Sequence, residues 1–263
     1  MSRNFGVEKS TGTYFVFLDS DCVLPENYIE ILNGAMRGNL IDCFGGPDRA
    51  HPSFTPVQKA ISYSMTSFFT TGGIRGGSKK VIKFHPRSFN MGFSPLVYQR
   101  TKGFAPIRFG EDIDLSLRIE EAGFTCSLIE DAFVYHKRRT DFYKFYKQIY
   151  NSGIARINLF KRHPGSLKLT HFFPAVFVIA FILSLASLVI FKWSFFLWCF
   201  VVYFLVIFFD ASWQSKSSKI GFLALVSTCV QMLAYGTGFI KAFFKRVLLG
   251  KPEFAAFEKN FYK

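Results

Sequence analysis

Tyr14-Phe15-Val16-Phe17-Leu18-Asp19-Ser20-Asp21 decides how the rest of the chain is read. Tyr14 to Leu18 is an aromatic and β-branched run between Gly12 and Asp19, the pattern of a short strand buried on both faces. Its C-terminal end carries two carboxylates one residue apart. In open α/β sheets that is the edge where ligands bind and where a divalent ion can link protein to phosphate. Asp-Ser-Asp alone reads equally well as a polar strand-to-loop turn; its place after an apolar strand favours the ligand site. Pro25, at a first helical position, opens an apolar-patterned segment through Ile29, Ile31, Leu32 and Met36 that stops at Gly38. Strand followed by helix begins an α/β architecture.

Working outward, a second strand is predicted from Ile41 to Phe44, and Ser94-Pro95 with Gly103 frames a short helix. Gly72-Gly73-Ile74-Arg75-Gly76-Gly77 is a loop, suited to a lid over a phosphate or acceptor and equally to an ordinary surface turn. Beyond Gly110-Glu111-Asp112 a helix is predicted over Ile113 to Ala122, with Leu115, Ile119 and Ala122 at helical spacing, Asp114 paired with Arg118, and Gly123 as its cap. Thr125 to Ile129 and Ala132 to Tyr135 read as two further strands, the second ending at His136 ahead of Lys137-Arg138-Arg139.

A formal net charge of +14 over 263 residues attracts nucleic acid, anionic lipid or phosphorylated substrates alike. The apolar residues decide among them. No charged side chain occurs in 172–191, 193–209 or 220–240, each near the roughly 20 residues that span a bilayer, which argues for a membrane partner and against nucleic acid. Between soluble region and apolar tail, Asp141 to Phe160 puts Phe142, Phe145, Tyr146, Ile149, Gly153, Ile157 and Phe160 on one stripe, with Lys144, Lys147 and Arg156 elsewhere: a basic amphipathic helix suited to a membrane interface. The resulting division is 1–139, 140–168 and 169–263. The five cysteines are scattered and form no CxxC pair, so neither a disulfide framework nor a zinc site is expected, and with no export signal visible the soluble part is expected in a reducing cytoplasm. Three crossings would put Lys241, Lys245, Arg246 and Lys251 outside, against the tendency of basic flanks to stay inside; at least two crossings are expected.

Glu111-Asp112 is a second acidic pair. A carboxylate at a helix N-terminus is favoured in its ionised form and can take a proton from a hydroxyl, although first-turn acids also serve simply as helix caps. Arg3-Asn4-Phe5-Gly6, Thr11-Gly12-Thr13-Tyr14, Phe17-Leu18-Asp19-Ser20-Asp21 and Gly110-Glu111-Asp112-Ile113-Asp114-Leu115 with Arg118, in that order, resemble the family 2 glycosyltransferases of the GT-A fold over roughly Ser2 to His136. The resemblance implies a Rossmann-like catalytic domain, a nucleotide-sugar donor, a lipid-linked or polysaccharide acceptor and a Mg²⁺ or Mn²⁺ cofactor. It further implies Arg3 and Asp19 as nucleotide contacts, Asp21 as metal ligand, Asp112 as catalytic base and Glu111 as an acceptor or orienting contact. His136 matches a position that completes the metal shell in some members; a hydrogen-bonded structural histidine is the alternative. Asn90 and Met91 fall where the family often has acceptor-site residues. Gln148 to Arg156 loosely resembles the Gln and Arg element of processive members, without the tryptophan that completes it.

Family members begin with two βα units that hold the base and ribose, and this chain starts after both. The expected fold is therefore a truncated GT-A domain followed by an interfacial helix and C-terminal transmembrane helices, with an open sheet edge at Tyr14 to Leu18. The expected protein is an inverting transferase of cell-surface polysaccharide or glycolipid synthesis, multi-pass in the inner (plasma) membrane, its missing half supplied by a longer reading frame or a partner chain, with weak or absent catalysis expected of the given chain by itself. The alternative is a non-catalytic anchoring subunit or pseudoenzyme.

Overall fold

The computed structural model describes residues 2–38, 41–72 and 84–257. In chain order these form α1 (Ser2–Lys9), β1 (Phe15–Leu18), β2 (Cys22–Val23), α2 (Tyr28–Gly38), β3 (Cys43–Gly45), β4 (Asp48–Arg49), α3 (Pro56–Thr66), α4 (Phe68–Thr71), β5 (Asn90–Phe93), α5 (Pro95–Thr101), α6 (Glu111–Glu121), β6 (Cys126–Leu128), β7 (Val134–His136), α7 (Phe142–Arg162), α8 (Phe173–Phe191), α9 (Phe195–Ser215) and α10 (Ser218–Phe243). A 3₁₀ turn, Leu169–His171, precedes α8, and a π-helical stretch, Phe244–Leu248, continues α10. Two compact units result, Met1–Pro52 with Gly77–Lys137 and Ser53–Gly76 with Arg138–Lys263. Packing thus groups α3 and α4 with the C-terminal helices rather than following a linear division at residue 139. The proposed lid, from Gly73 onward, lies outside the described residues.

The first unit is mixed α/β. Its main sheet runs β1-β5-β3-β6, with β5 antiparallel to both neighbours and β6 parallel to β3. Successive residues of β3 serve opposite faces: Cys43 joins Met91, Phe93, Val97, Leu115 and Ile119 on one side, and Phe44 joins Tyr28, Leu32, Ala132 and Val134 on the other. Glycine at position 92 of β5 is required by the register, because Phe44 lies directly opposite and a Cβ there would sit 2.2 Å from its ring. A smaller sheet, β2-β7-β4, pairs Cys22 with His136 across antiparallel strands.

β1 corrects the expectation of a strand buried on both faces. Phe15 and Phe17 stack into the core against Phe93, Tyr98 and Phe104, whereas Val16 and Leu18 are 41% and 39% exposed. β1 ends the sheet, and no helix among the described residues covers that face. The helix expected from Pro25 begins at Tyr28, after a turn in which the Tyr28 amide donates to the Pro25 carbonyl. Around Ser94-Pro95 the expectation holds: the Ser94 hydroxyl accepts from the Val97 amide, and Lys102 and Gly103 turn through left-handed conformations at the far end.

In the second unit, the apolar stripe of α7 packs along α10. Gly153 and Gly238 allow the backbones to meet: a Cβ on Gly153 would lie 2.3 Å from the Tyr235 carbonyl oxygen, and one on Gly238 2.3 Å from that of Tyr150. Gly153→Ala is therefore expected to force the helices apart and destabilise the chain by about 1–3 kcal/mol, the usual cost of overpacking; an unchanged thermal unfolding midpoint in detergent would refute the close approach. Phe173–Phe191, Phe195–Ser215 and Ser218–Leu248 are long and apolar enough to cross a membrane, which indicates membrane association. α9 runs past the predicted end at Phe209 because Asp210 has partners there: the Tyr63 hydroxyl donates to its carboxylate at 2.5 Å, and the Gln214 amide at 3.0 Å. Ser64 and Ser227 share a buried hydrogen bond of 2.7 Å between α3 and α10. Lys192, in a left-handed conformation, turns α8 into α9 with almost no loop.

Candidate active site

The site lies in the first unit, where the C-terminal end of β1, helix α1 and the N-terminus of α6 converge. β1 runs out at Leu18, and the Cys22 amide closes a turn by donating to the Asp19 carbonyl, which presents Asp19 and Asp21 at the sheet's end. α1, unmarked by any apolar periodicity, brings in Arg3. Its Nη2 donates to Asp19 Oδ1 at 3.1 Å and its Nη1 to Glu111 Oε1 at 2.9 Å, with the guanidinium over the Phe104 ring. One arginine therefore ties the strand-end carboxylate to the helix-start carboxylate. Asn4 fixes the helix that carries it, accepting from the Phe104 amide at 2.9 Å and donating to the Phe104 carbonyl at 3.0 Å.

α6 begins without a side-chain cap: Gly110 precedes it at φ +84°, a conformation open to glycine at little cost. Glu111, Asp112 and Asp114 fill its first turn, where the helix dipole favours negative charge. Asp114 pairs with Arg118 at 2.8 Å as the spacing predicted, and Arg118 also donates to the carbonyls of Thr101 and Gly103. That pair is structural. Asp112 accepts from the Ser88 amide at 3.4 Å and faces Arg87 at 3.5 Å. Burial, then the charge of Asp112, raises the pKa of Glu111 above the usual glutamate value, and Arg3 opposes both.

The role of Arg3 is open to test. Arg3→Ala removes the group that favours ionised Glu111, so the Glu111 pKa rises further. If ionised Glu111 is needed, the acidic limb of the pH–rate profile moves to higher pH. Activity at neutral pH should fall roughly 10-fold, of the order of one hydrogen bond to a charged group. Arg3→Lys should restore part of it, and a profile unchanged in shape would show that Arg3 does not act through Glu111.

On the other side of the turn, His136 Nε2 stands 3.3 Å from Asp21 Oδ1. Ligand atoms of Asp21, Cys22 and His136 all lie within 4.8 Å of one another. One carboxylate, one thiol and one imidazole make a donor set that fits a divalent ion. The Cys22 thiol is pushed up to about 12, first by burial and then by the charges of Asp21 and Asp19.

The structure brings Arg3, Asp19 and Glu111 into direct contact, Asp112 next to Glu111, and Asp21 against His136. Asn90 and Met91 are fully buried in β5, so neither side chain offers a surface to an acceptor. Gln148 and Arg156 lie on α7 in the second unit, where Gln148 accepts from Arg139. Sequence reading gave no individual role to Asn4, Arg87 or Cys22, although Asn4 stands in the Arg3-Asn4-Phe5-Gly6 element and Cys22 directly follows Asp21.

A family model described as Glycosyl transferase family group 2 matches residues 14–209, more than half of the chain. No curated protein matches it.

Proposed function

The chain belongs to glycosyltransferase family 2, and on that premise we propose that it carries out inverting, metal-dependent transfer of a sugar from a nucleotide-sugar donor to an acceptor hydroxyl in cell-surface polysaccharide or glycolipid synthesis. The observation that carries the reading is the double ion pair of Arg3, which gathers Asp19 and Glu111 into one cluster. Asp112 accepts the proton of the acceptor hydroxyl. The new bond forms from that oxygen to the anomeric carbon as the bond to the diphosphate breaks, and the nucleoside diphosphate leaves with the electron pair. Asp19 contacts the nucleotide, and Glu111, held by Arg3, orients the acceptor. Asp21 and His136 would hold Mg²⁺ or Mn²⁺, which would offset the charge that develops on the departing diphosphate. The three apolar helices tether this unit to the inner membrane as a multi-pass protein, with the catalytic unit cytoplasmic and the basic helix α7 near the headgroups, where lipid-linked or polysaccharide acceptors lie.

A second reading has its own support. Among the described residues β1 is the end strand of its sheet, so its outer backbone edge is open to pairing with further strands. On this reading the nucleotide-binding half is supplied by upstream sequence or a partner chain, and the chain alone is an anchoring subunit. Sugar transfer by detergent-extracted protein with Mn²⁺ separates the two, comparing this chain with a version extended upstream. Transfer by both supports a complete site, and transfer by the extended form alone supports the split enzyme. No transfer by either, across several donors and lipid acceptors, leaves the anchoring subunit.

A further inference from the structure

We propose that Cys22 is the third protein ligand of the cation site beside Asp21 and His136, and that this site consequently takes zinc in preference to magnesium or manganese. The inference rests on the assignment of Asp21 and His136 as metal ligands and adds to it the donor that decides which ion is held.

The argument is one of register. β2 and β7 are antiparallel, and Cys22 stands directly opposite His136. Cross-strand partners project from the same face of a sheet, with Cβ atoms about 4.5–5.5 Å apart, so thiol and imidazole are neighbours by construction. The backbone also ties Asp21 to this pair, since the Lys137 amide donates to the Asp21 carbonyl at 3.1 Å. Ligands on a tetrahedral zinc ion, with bonds of about 2.0–2.3 Å, lie about 3.6 Å from one another. Asp21 Oδ1 and His136 Nε2 are already 3.3 Å apart, and the Cys22 sulfur, an imidazole nitrogen and a carboxylate oxygen of the three residues all lie within 4.8 Å of one another. Cys22 Sγ donates to the Phe89 carbonyl at 3.6 Å, a weak bond because a thiol is a weak donor, and metal binding would release that proton to solvent.

Three protein donors also leave a fourth tetrahedral position open, the arrangement of a site that admits an exogenous oxygen. Magnesium demands near-octahedral oxygen ligation and gains little from sulfur, whereas thiolate selects zinc. Zinc therefore competes with the harder ions at the position proposed for them.

The test uses the intact chain in detergent, with cadmium as the probe for sulfur ligation and manganese as the reporter of the hard-ion site. Cadmium is expected to produce a thiolate-to-metal charge-transfer band in the ultraviolet that Cys22→Ser removes, the other four cysteines remaining. Asp21→Asn, which keeps the thiol, should weaken cadmium binding roughly 10-fold, and stands as the second variant should Cys22→Ser misfold. Zinc should displace bound manganese, seen as the return of the free-manganese resonance signal, and Cys22→Ser should reduce the advantage of zinc by roughly 10-fold or more. A band that survives Cys22→Ser, or a zinc advantage unchanged by it, overturns the inference. If manganese binds while cadmium gives no thiolate band, the inference alone fails and the assignment of Asp21 and His136 stands. If neither ion binds, both fail together.

Discussion

Asp112→Asn is expected to lower sugar transfer by about 10²–10⁴-fold, the range for removal of a positioned general base, or roughly 3–5 kcal/mol of barrier. Asparagine keeps the shape of the side chain and one oxygen, which can still accept from the Ile113 amide at 2.8 Å, while the weaker 3.4 Å contact with the Ser88 amide is given up. It removes the group that takes the hydroxyl proton. The partner across the site is then left over: Arg87, 3.5 Å from Asp112, loses its counter-charge. That ion pair is part-exposed and worth little to stability, so the thermal midpoint should move by less than the activity does. The variant also withdraws the charge that is the second cause, after burial, of the raised Glu111 pKa. Glu111 should then ionise at lower pH than in the parent. The measurement is initial transfer rate against donor concentration in the form that shows activity, with Asp112→Asn beside it. A drop in kcat with KM for the donor unchanged is the expected pattern, because the base acts on the acceptor. Near-parental rates would remove Asp112 from the mechanism and leave the acidic first turn of α6 as a helix-dipole feature alone.

The elements that were legible in the sequence are those with long-range periodicity or explicit start and stop residues. α6 follows from its apolar spacing, the three apolar helices from charge-free runs of bilayer length, and α5 from Ser94, Pro95 and Gly103. The elements that were not legible depend on partners far away in the chain. β2 and β4 have two residues each and exist only because β7 pairs with both. An all-apolar run such as that of β1 looks the same in sequence whether or not its second face is covered. The site shows the same division. Asp19, Asp21, Glu111 and Asp112 are each ordinary in local composition and stand out through their order and spacing together with Arg3-Asn4-Phe5-Gly6 and the strand before Asp19. Arg87 did not, since its role comes from a turn that folds back on α6. Cys22 acquires its position only through a register between strands more than a hundred residues apart.

Asn90→Leu is expected to cost roughly 2–6 kcal/mol, a large part of the 5–15 kcal/mol that holds a typical domain together. Asn90 is fully buried in β5 and spends both ends of its amide. Its Oδ1 accepts from the Tyr28 hydroxyl at 2.6 Å, and its Nδ2 donates to the Ala132 carbonyl at 2.7 Å. The side chain therefore joins three elements that are remote in sequence: α2, β5 and the loop before β7. Leucine has similar volume and fills the space, so the penalty is not one of cavity. It comes from leaving a phenolic hydroxyl and a carbonyl dry without partners, at about 1–3 kcal/mol each. Burial pushes the Tyr28 pKa up to about 12, so the phenol stays protonated at neutral pH and needs an acceptor. Tyr28→Phe removes one of the stranded groups in advance. The double variant should thus be less destabilised than the sum of the two singles, by about 1 kcal/mol or more. Thermal or denaturant unfolding of the four proteins in detergent measures this directly. A structural role predicts a lowered midpoint with unchanged acceptor KM in the protein that remains folded, whereas a direct contact with the acceptor predicts the opposite pair of results. The second outcome would mean that β5 opens to admit substrate, and that the buried amide network around Asn90 is a resting arrangement rather than the brace of the fold.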